Sequence, residues 1–396
     1  MEPITIAKDT WLLSVNDRRT HLFENYWPLP NGVAYNSYLI LGEKNVLIDT
    51  VEYGHSQYYI HEIEELLSGK ELDYLIINHM EPDHSGAISL ILKRYPQCTI
   101  VGNRKTIPIL EGFFGKVAKI HLVEDNEILE VGNHRLHFHF IPMVHWPETM
   151  VTYDESTGVL FSADAFGSFG TLDGGVFDDE INLEFYENEF RRYYSNIVGK
   201  YGQQVQKALA KLQGLTIKII ASTHGPVWRT NLNYIISKYD LWSKYNAEEK
   251  GAVIVFGSMY GNTERMAETI ARELCVQGVK NIRVYDSSKT HASFIISDIW
   301  RFNGLILGSC AYNGSIFTPM GDLIAKLEAI SIKNRHVALF GSSSWGGGGL
   351  RILEKWAENM KFEVIGPKPE ARCAPNKLNL QECKEIAREM AAAILQ

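Results

Sequence analysis

Short apolar runs and alternating stretches dominate the first 245 positions. Asn36 to Leu41 and Val46 to Asp49 read as paired strands joined by a Gly-Glu-Lys-Asn turn. Tyr58, Ile60, Ile63, Leu66 and Leu67 fall near helical spacing and predict a helix over about residues 57 to 68. Leu72 to Asn78 is a short apolar run suited to a buried strand. Further strand candidates are Thr99 to Gly102, Leu136 to Met143, Val159 to Ser162 and Lys218 to Ala221. The polar and aromatic stretch 172 to 214 reads as mainly helical.

Around Tyr245 to Gly251 the sequence turns polar and the rhythm changes. Strands are expected at Ala252 to Phe256, Asn281 to Tyr285, Gly304 to Gly308, His336 to Phe340 and Phe362 to Val364. Helices alternate with them, at about 263 to 277, 291 to 300, 319 to 329, 348 to 360 and 380 to 395. Five such units in succession imply a doubly wound parallel sheet. The expected domains are therefore 1–249, with many strands and a few helices, and 250–396.

Composition narrows the function classes. A chain of 396 residues, 45% hydrophobic and 22% charged, is that of a soluble globular protein with more than one domain. The net charge is −8 and no basic run stands out, so nucleic acid is not an expected partner. Met1 to Asp17 lacks the basic-then-apolar pattern of a signal peptide, and no apolar run reaches membrane-spanning length. The five cysteines form no C-x-x-C pair, which argues against an iron–sulfur module, a Cys-rich zinc site and a secreted disulfide framework. The expected compartment is the cytoplasm.

The densest chemistry is His79-Met80-Glu81-Pro82-Asp83-His84, at the end of the Leu72 to Asn78 run. Three more candidates also follow expected strands: His145, Asp164 and His224. One histidine at a strand end is usually structural, but four strand ends carrying such residues are expected to converge. Four imidazoles and three carboxylates without a thiolate suit iron or manganese, and zinc remains open. Seven ligands are too many for one tetrahedral ion and suit a pair, with Asp164 as the natural bridging carboxylate.

Three loops in the second half point to a phosphorylated aromatic ligand. Ser258, Met259, Tyr260, Gly261, Asn262 and Thr263 follow a strand and open a helix, where backbone N–H groups and hydroxyls meet an anion. The loop has no Lys or Arg, which suits a phosphate monoester better than a Walker A site. Ser309, Cys310, Ala311, Tyr312, Asn313 and Gly314 follow the third strand, and Ser343, Ser344, Trp345, Gly346 and Gly347 the fourth. Tyr312 and Trp345 offer aromatic rings for an isoalloxazine, and Cys310 reads as a small residue lining it.

These motifs carry a resemblance. H-x-H-x-D-H with later His, Asp and His is the metallo-β-lactamase-fold pattern, usually that of a dizinc hydrolase. Here Glu81 stands in place of the second His. That change, with His145-Trp146-Pro147, Asp164, His224 and Tyr35-Asn36-Ser37-Tyr38, resembles the flavodiiron proteins, which include the rubredoxin:oxygen oxidoreductases, over nearly the whole chain. The three loops resemble a flavodoxin fold with FMN, with Tyr260 where Ser or Thr is common. The resemblance implies an N-terminal metallo-β-lactamase-like αββα sandwich followed by a flavodoxin-like doubly wound parallel sheet. It implies His79, Glu81 and His145 on one iron, Asp83 and His224 on the other, and Asp164 between them. His84 in this family can ligate or swing away. Tyr193 or Tyr194 resembles an aromatic residue near the metal pocket.

The activity so implied is reduction of O2 to water, of NO to N2O, or both, with FMN relaying electrons. A head-to-tail homodimer or dimer of dimers is expected. So is a separate donor: rubredoxin, another small redox protein or a reduced deazaflavin. Two rivals are a dizinc hydrolase with an accessory flavodoxin-like domain, and an FMN electron carrier whose metal domain is only a scaffold.

Overall fold

A computed structural model describes residues 1–396. The chain divides into two compact units, Met1–Tyr194 with Tyr201–Asp240, and Ser195–Lys200 with Leu241–Gln396. No helix is long and apolar enough to cross a membrane.

The first unit holds two sheets. One runs in the order Ile4–Ala7, Thr10–Asp17, Val33–Ile40, Val46–Ile48, Tyr74–Ile76, Thr99–Gly102, Ile120–Leu122. It is antiparallel as far as Val46–Ile48 and parallel beyond. The parallel strands Val46–Ile48 and Tyr74–Ile76 are short and almost wholly buried, as a sheet covered on both faces requires. The other sheet runs Ile128–Val131, His134–Phe140, Met150–Asp154, Val159–Phe161, Ile219–Ala221, with only the last pair parallel. Leu12, Tyr38, Ile48 and Ile76 of the first sheet share one hydrophobic cluster with Phe138, Phe161 and Ala221 of the second, so the two sheets face each other. Amphipathic helices bury one side each: Ser56–Leu67 through Tyr59, Ile63 and Leu67, and Gly202–Leu212 through Val205, Ala208 and Leu212. This is the expected sandwich.

The sequence pattern did not reveal the two N-terminal strands. It also overstated the helical content of 172 to 214. Residues 172 to 182 are irregular, and the helices are Leu183–Tyr193 and Gly202–Leu212, joined by π and 3-10 turns.

The second unit is built on a parallel sheet in the order Ile282–Asp286, Glu249–Gly257, Phe302–Tyr312, His336–Ser343, Glu370–Arg372. Its first strand begins at Glu249, inside the polar stretch, and the division between units falls earlier, at Asp240 and Leu241. The fifth strand is not Phe362 to Val364. There only Val364 forms an isolated bridge, to Val337, and Gly366 then turns the chain at φ +71°. The apolar–polar–apolar alternation of Phe362, Glu363 and Val364 looks strand-like, but the paired segment is Glu370–Arg372, against Gly341, Ser342 and Ser343.

Candidate metal centre and flavin cradle

The metal candidates lie where strands of the first unit end. Asp49 follows Val46–Ile48 at φ 55°. Its carboxylate accepts the Asn78 N–H at 2.8 Å and the His79 N–H at 3.3 Å, which holds the chain as it leaves the neighbouring strand. Pro82 then opens the one-turn helix Pro82–Ser85, which carries Asp83 and His84. Asp164 lies just past Val159–Phe161 and His224 just past Ile219–Ala221, while His145 lies beyond His134–Phe140. All seven side chains are buried or nearly so and come together in two groups.

The first group is His79, Glu81, His145 and Asp164, and the second is Asp83, His84 and His224. Glu81 Oε2 lies 2.9 Å from His145 Nε2 and 3.2 Å from His79 Nε2. Asp83 Oδ2 lies 3.2 Å from His84 Nε2 and 3.3 Å from His224 Nε2. Asp164 spans the two groups. Its Oδ2 is 3.1 Å from His145 Nε2, and its Oδ1 is 2.8 Å from His84 Nε2.

This donor set fits a pair of cations. His84 Nε2 and His224 Nε2 face each other at 3.0 Å, and His224 already donates its Nδ1 proton to the Ala34 carbonyl at 2.8 Å. A lone pair on His224 therefore points into the cluster. Both Asp83 oxygens are buried without a hydrogen-bond donor. A shared metal centre would satisfy all of these atoms.

Electrostatics follow from the same pairing. Burial alone would lower His79, but Asp164, Glu148 and Glu81 outweigh it and bring the imidazole up to about 9. His84 and His145 are likewise held well above the usual histidine value against the pull of burial. Burial would raise Glu81 and Asp164, yet the facing imidazoles hold both below the ordinary carboxylate range.

Supporting residues hold these side chains, and of them Asn36 belongs to a motif named above whereas Asp49, Glu148 and Thr223 do not. Glu148 Oε1 sits 2.9 Å from His79 Nδ1, and Thr223 Oγ1 donates to Asp164 Oδ1 at 2.6 Å. Asn36 Nδ2 donates to the carbonyls of Ser222 and Gly225, which fixes the His224 loop. The one available signal was position: Asp49 closes a strand, and Glu148 lies three residues past His145. The rings of Phe23, Tyr35 and Tyr193 lie 5.5, 5.7 and 5.4 Å from that of His224. Tyr193 thus lines the cluster, whereas Tyr194 packs on Tyr239 at 4.9 Å. A cavity of about 500 Å³ opens onto Glu81 and Asp83 between Phe23, Glu24 and Tyr35. Glu24 is at the tip of the hairpin Leu22–Phe23/Trp27–Pro28. Desolvation and the neighbouring Glu81 push its carboxyl up to about 8.

In the second unit the three expected loops meet at the carboxyl ends of the central strands. Gly261, at φ 84°, caps the helix Asn262–Val276 and donates its N–H to Ser258 Oγ at 3.0 Å. Ser258, Met259, Tyr260, Asn262 and Thr263 line one wall of a small cavity. Cys310, Ala311, Ser343 and Ser344 line the other, joined by Ser342 and Cys373, which the sequence reading had not singled out. Ser309 lies under this cavity, its Oγ bonded to the Cys310 carbonyl at 2.9 Å. Asn313 and Gly314 form the turn of a hairpin at φ 48° and 72°. Gly346 and Gly347 follow Trp345 ahead of the helix Gly349–Asn359. Tyr260, Tyr312 and Trp345 are exposed around the cavity loops, as rings awaiting a flat ligand would be.

Residues 33–225 match the ODP family beta lactamase model, and residues 254–386 match the flavodoxin model. The anaerobic nitric oxide reductase flavorubredoxin of Klebsiella pneumoniae is 31% identical over 91% of this chain and 75% of that protein. The chain belongs to the flavodiiron proteins. Among solved flavodiiron structures, the rubredoxin oxygen:oxidoreductase of Desulfovibrio gigas superposes with a TM-score of 0.95. Its sequence identity is 27%, over 99% of this chain and 98% of that one. A variant of the flavo di-iron protein of Thermotoga maritima gives a TM-score of 0.92 at 26% identity, over 99% and 98% of the two chains. The cofactors of this flavodiiron protein are accordingly FMN, in the flavodoxin domain, and a diiron centre, for which the clustered His, Asp and Glu side chains offer the ligands.

Proposed function

We propose that this flavodiiron protein reduces O2 to water, NO to N2O, or both, with His79, Glu81 and His145 holding one iron, Asp83, His84 and His224 the other, and Asp164 bridging. The observation that carries this reading is the Asp164 carboxylate, whose two oxygens face different histidine groups at 3.1 and 2.8 Å. A pair of irons and a reduced flavin supply up to two electrons each, so together they match the four that O2 requires and exceed the two that a pair of NO molecules requires. The protein's own side chains hold and orient the metals. The buried rings of Phe23, Tyr35 and Tyr193 pack around His224 and cover that side of the cluster. Ser258, Gly261 and Thr263 would grip the FMN phosphate, and Tyr312 and Trp345 would border its ring.

The electron donor in this reading is a separate rubredoxin, another small redox protein or a reduced deazaflavin. The assembly is a head-to-tail homodimer or dimer of dimers, in which one subunit's flavin serves its partner's metals. Glu81 in place of a histidine, together with the flavin cradle, weighs against a dizinc hydrolase.

The test is anaerobic NO consumption run beside O2 consumption with one artificial donor. The purified protein should consume at least one gas rapidly. His79→Ala should retain FMN and lose that activity. A protein that carries only zinc after expression in iron-replete cells, or a His79→Ala variant that still consumes gas at the original rate, would overturn the proposal.

A further inference from the structure

A histidine that binds metal through Nε2 carries its Nδ1 proton at the back of the ring. Whatever accepts that proton fixes the ring and sets how strongly it donates to the metal. The three histidines whose backs the structure characterises differ in this respect. His79 Nδ1 meets Glu148 Oε1 at 2.9 Å. His224 Nδ1 meets only a neutral backbone carbonyl, that of Ala34, at 2.8 Å. His84 Nδ1 is buried and has no hydrogen-bond partner.

Glu148 is built to act on His79. It is 1% exposed, and Oε1 also accepts the Met80 N–H at 2.9 Å. Its backbone carbonyl is held by Asn103 Nδ2 at 2.6 Å. Its Oε2 is buried with no partner, so little else screens the charge from the imidazole. The His79 half of the cluster therefore has Glu81 and Asp164 within it and a third carboxylate behind it. The other half has Asp83 and its share of Asp164, and no carboxylate is hydrogen-bonded to Nδ1 of either His84 or His224; Asp49 lies near His84 but accepts its hydrogen bonds from Asn78 and His79.

We propose that Glu148 is a positioning residue that makes the His79–Glu81–His145 half the tighter iron site. The first iron bound goes there, and the Asp83–His84–His224 half fills second and releases its metal first. This rests on the diiron reading above. It adds an order of assembly that the ligand list alone does not contain.

The test is anaerobic titration of the metal-free, FMN-retaining protein with Fe2+ against a competing chelator. Two binding steps are expected, at least ~10-fold apart, the size of effect that outer hydrogen-bond partners typically exert. Asp83→Asn should weaken the second step and spare the first. Glu148→Gln keeps the shape and removes the charge. It should weaken the first step by ~10–100-fold, merge the two, and raise the midpoint potential of the iron held there, because a less electron-rich imidazole disfavours the ferric state. Glu148→Asp keeps the charge at a longer reach and should restore part of both effects.

Equal affinities in the unsubstituted protein, or a Glu148→Gln variant that weakens both steps alike or neither, would overturn the proposal. If circular dichroism shows that Glu148→Gln does not fold, the order is still decided by the unsubstituted and Asp83→Asn proteins. A protein that loads two irons in this order yet reduces neither gas would overturn the functional reading and leave this one standing. A protein that binds no iron would overturn both.

Discussion

Asp17 illustrates how a single buried carboxylate organises the loop around it. It accepts the N–H groups of Arg19 at 2.8 Å and Thr20 at 3.0 Å, as well as the Thr20 hydroxyl, and pairs with His55 at 3.1 Å. Burial would raise its pKa, but these donors bring it down to about 2. A carboxylate depressed on folding stabilises the native state above its unfolded value and loses that contribution as pH falls through the folded one. Asp17→Asn should therefore lower stability by about 2 kcal/mol at pH 7, and the deficit should fade between about pH 4 and pH 2. Urea unfolding across that range checks this. The thiols make a second residue-scale prediction. Burial pushes Cys98 and Cys383 up to about 12, whereas Cys275 is exposed. Alkylation at pH 8 should modify Cys275 at once and reach Cys98 and Cys383 only after unfolding, as peptide mass analysis would show. Neither Asp17 nor Cys98 stands out in the sequence, because burial of a lone polar residue depends on what packs over it.

At the scale of elements, the second unit depends on close approach between strands and rings. A Cβ on Gly308 would lie 2.0 Å from the Phe340 ring on the adjacent strand. Gly308→Ala should destabilise this unit by about 1–3 kcal/mol, read from its thermal midpoint, with FMN retained only at lower temperature. The last helix, Lys377–Leu395, starts with a reciprocal capping box between Asn376 and Asn379. Asn376→Ala should cost about 1 kcal/mol by the same measurement. Helices with a clear apolar stripe, such as Asn262–Val276 and Ala292–Arg301, were legible within a residue or so. The strand expected at Phe362 to Val364 was not. Phe362 and Val364 flanking Glu363 satisfy a strand alternation, but pairing is decided by which segment reaches the open edge, and that is Glu370–Arg372.

For the whole molecule, the division into two compact units predicts two responses to cofactor removal. Calorimetry should resolve two transitions. Chelation of metal should lower only the one reported by hydrogen exchange in the first unit, because the clustered His, Asp and Glu side chains all lie there. Removal of FMN should lower only the other. A single transition that moves with either cofactor would contradict this.

The sequence alone singled out which residues are candidates for holding a metal and a flavin. It did so because each follows a strand or opens a helix, and both features have local signatures. His79 through His84, Asp164, His224 and the loop at Ser258 to Thr263 were readable for that reason. Tertiary structure decided how they are shared: the two groups, the spanning Asp164, Tyr193 rather than Tyr194 as the lining ring, and Glu148 behind His79. Those relations join residues far apart in the chain, and their distances are set by sheet register and facing sheets, which no local pattern encodes.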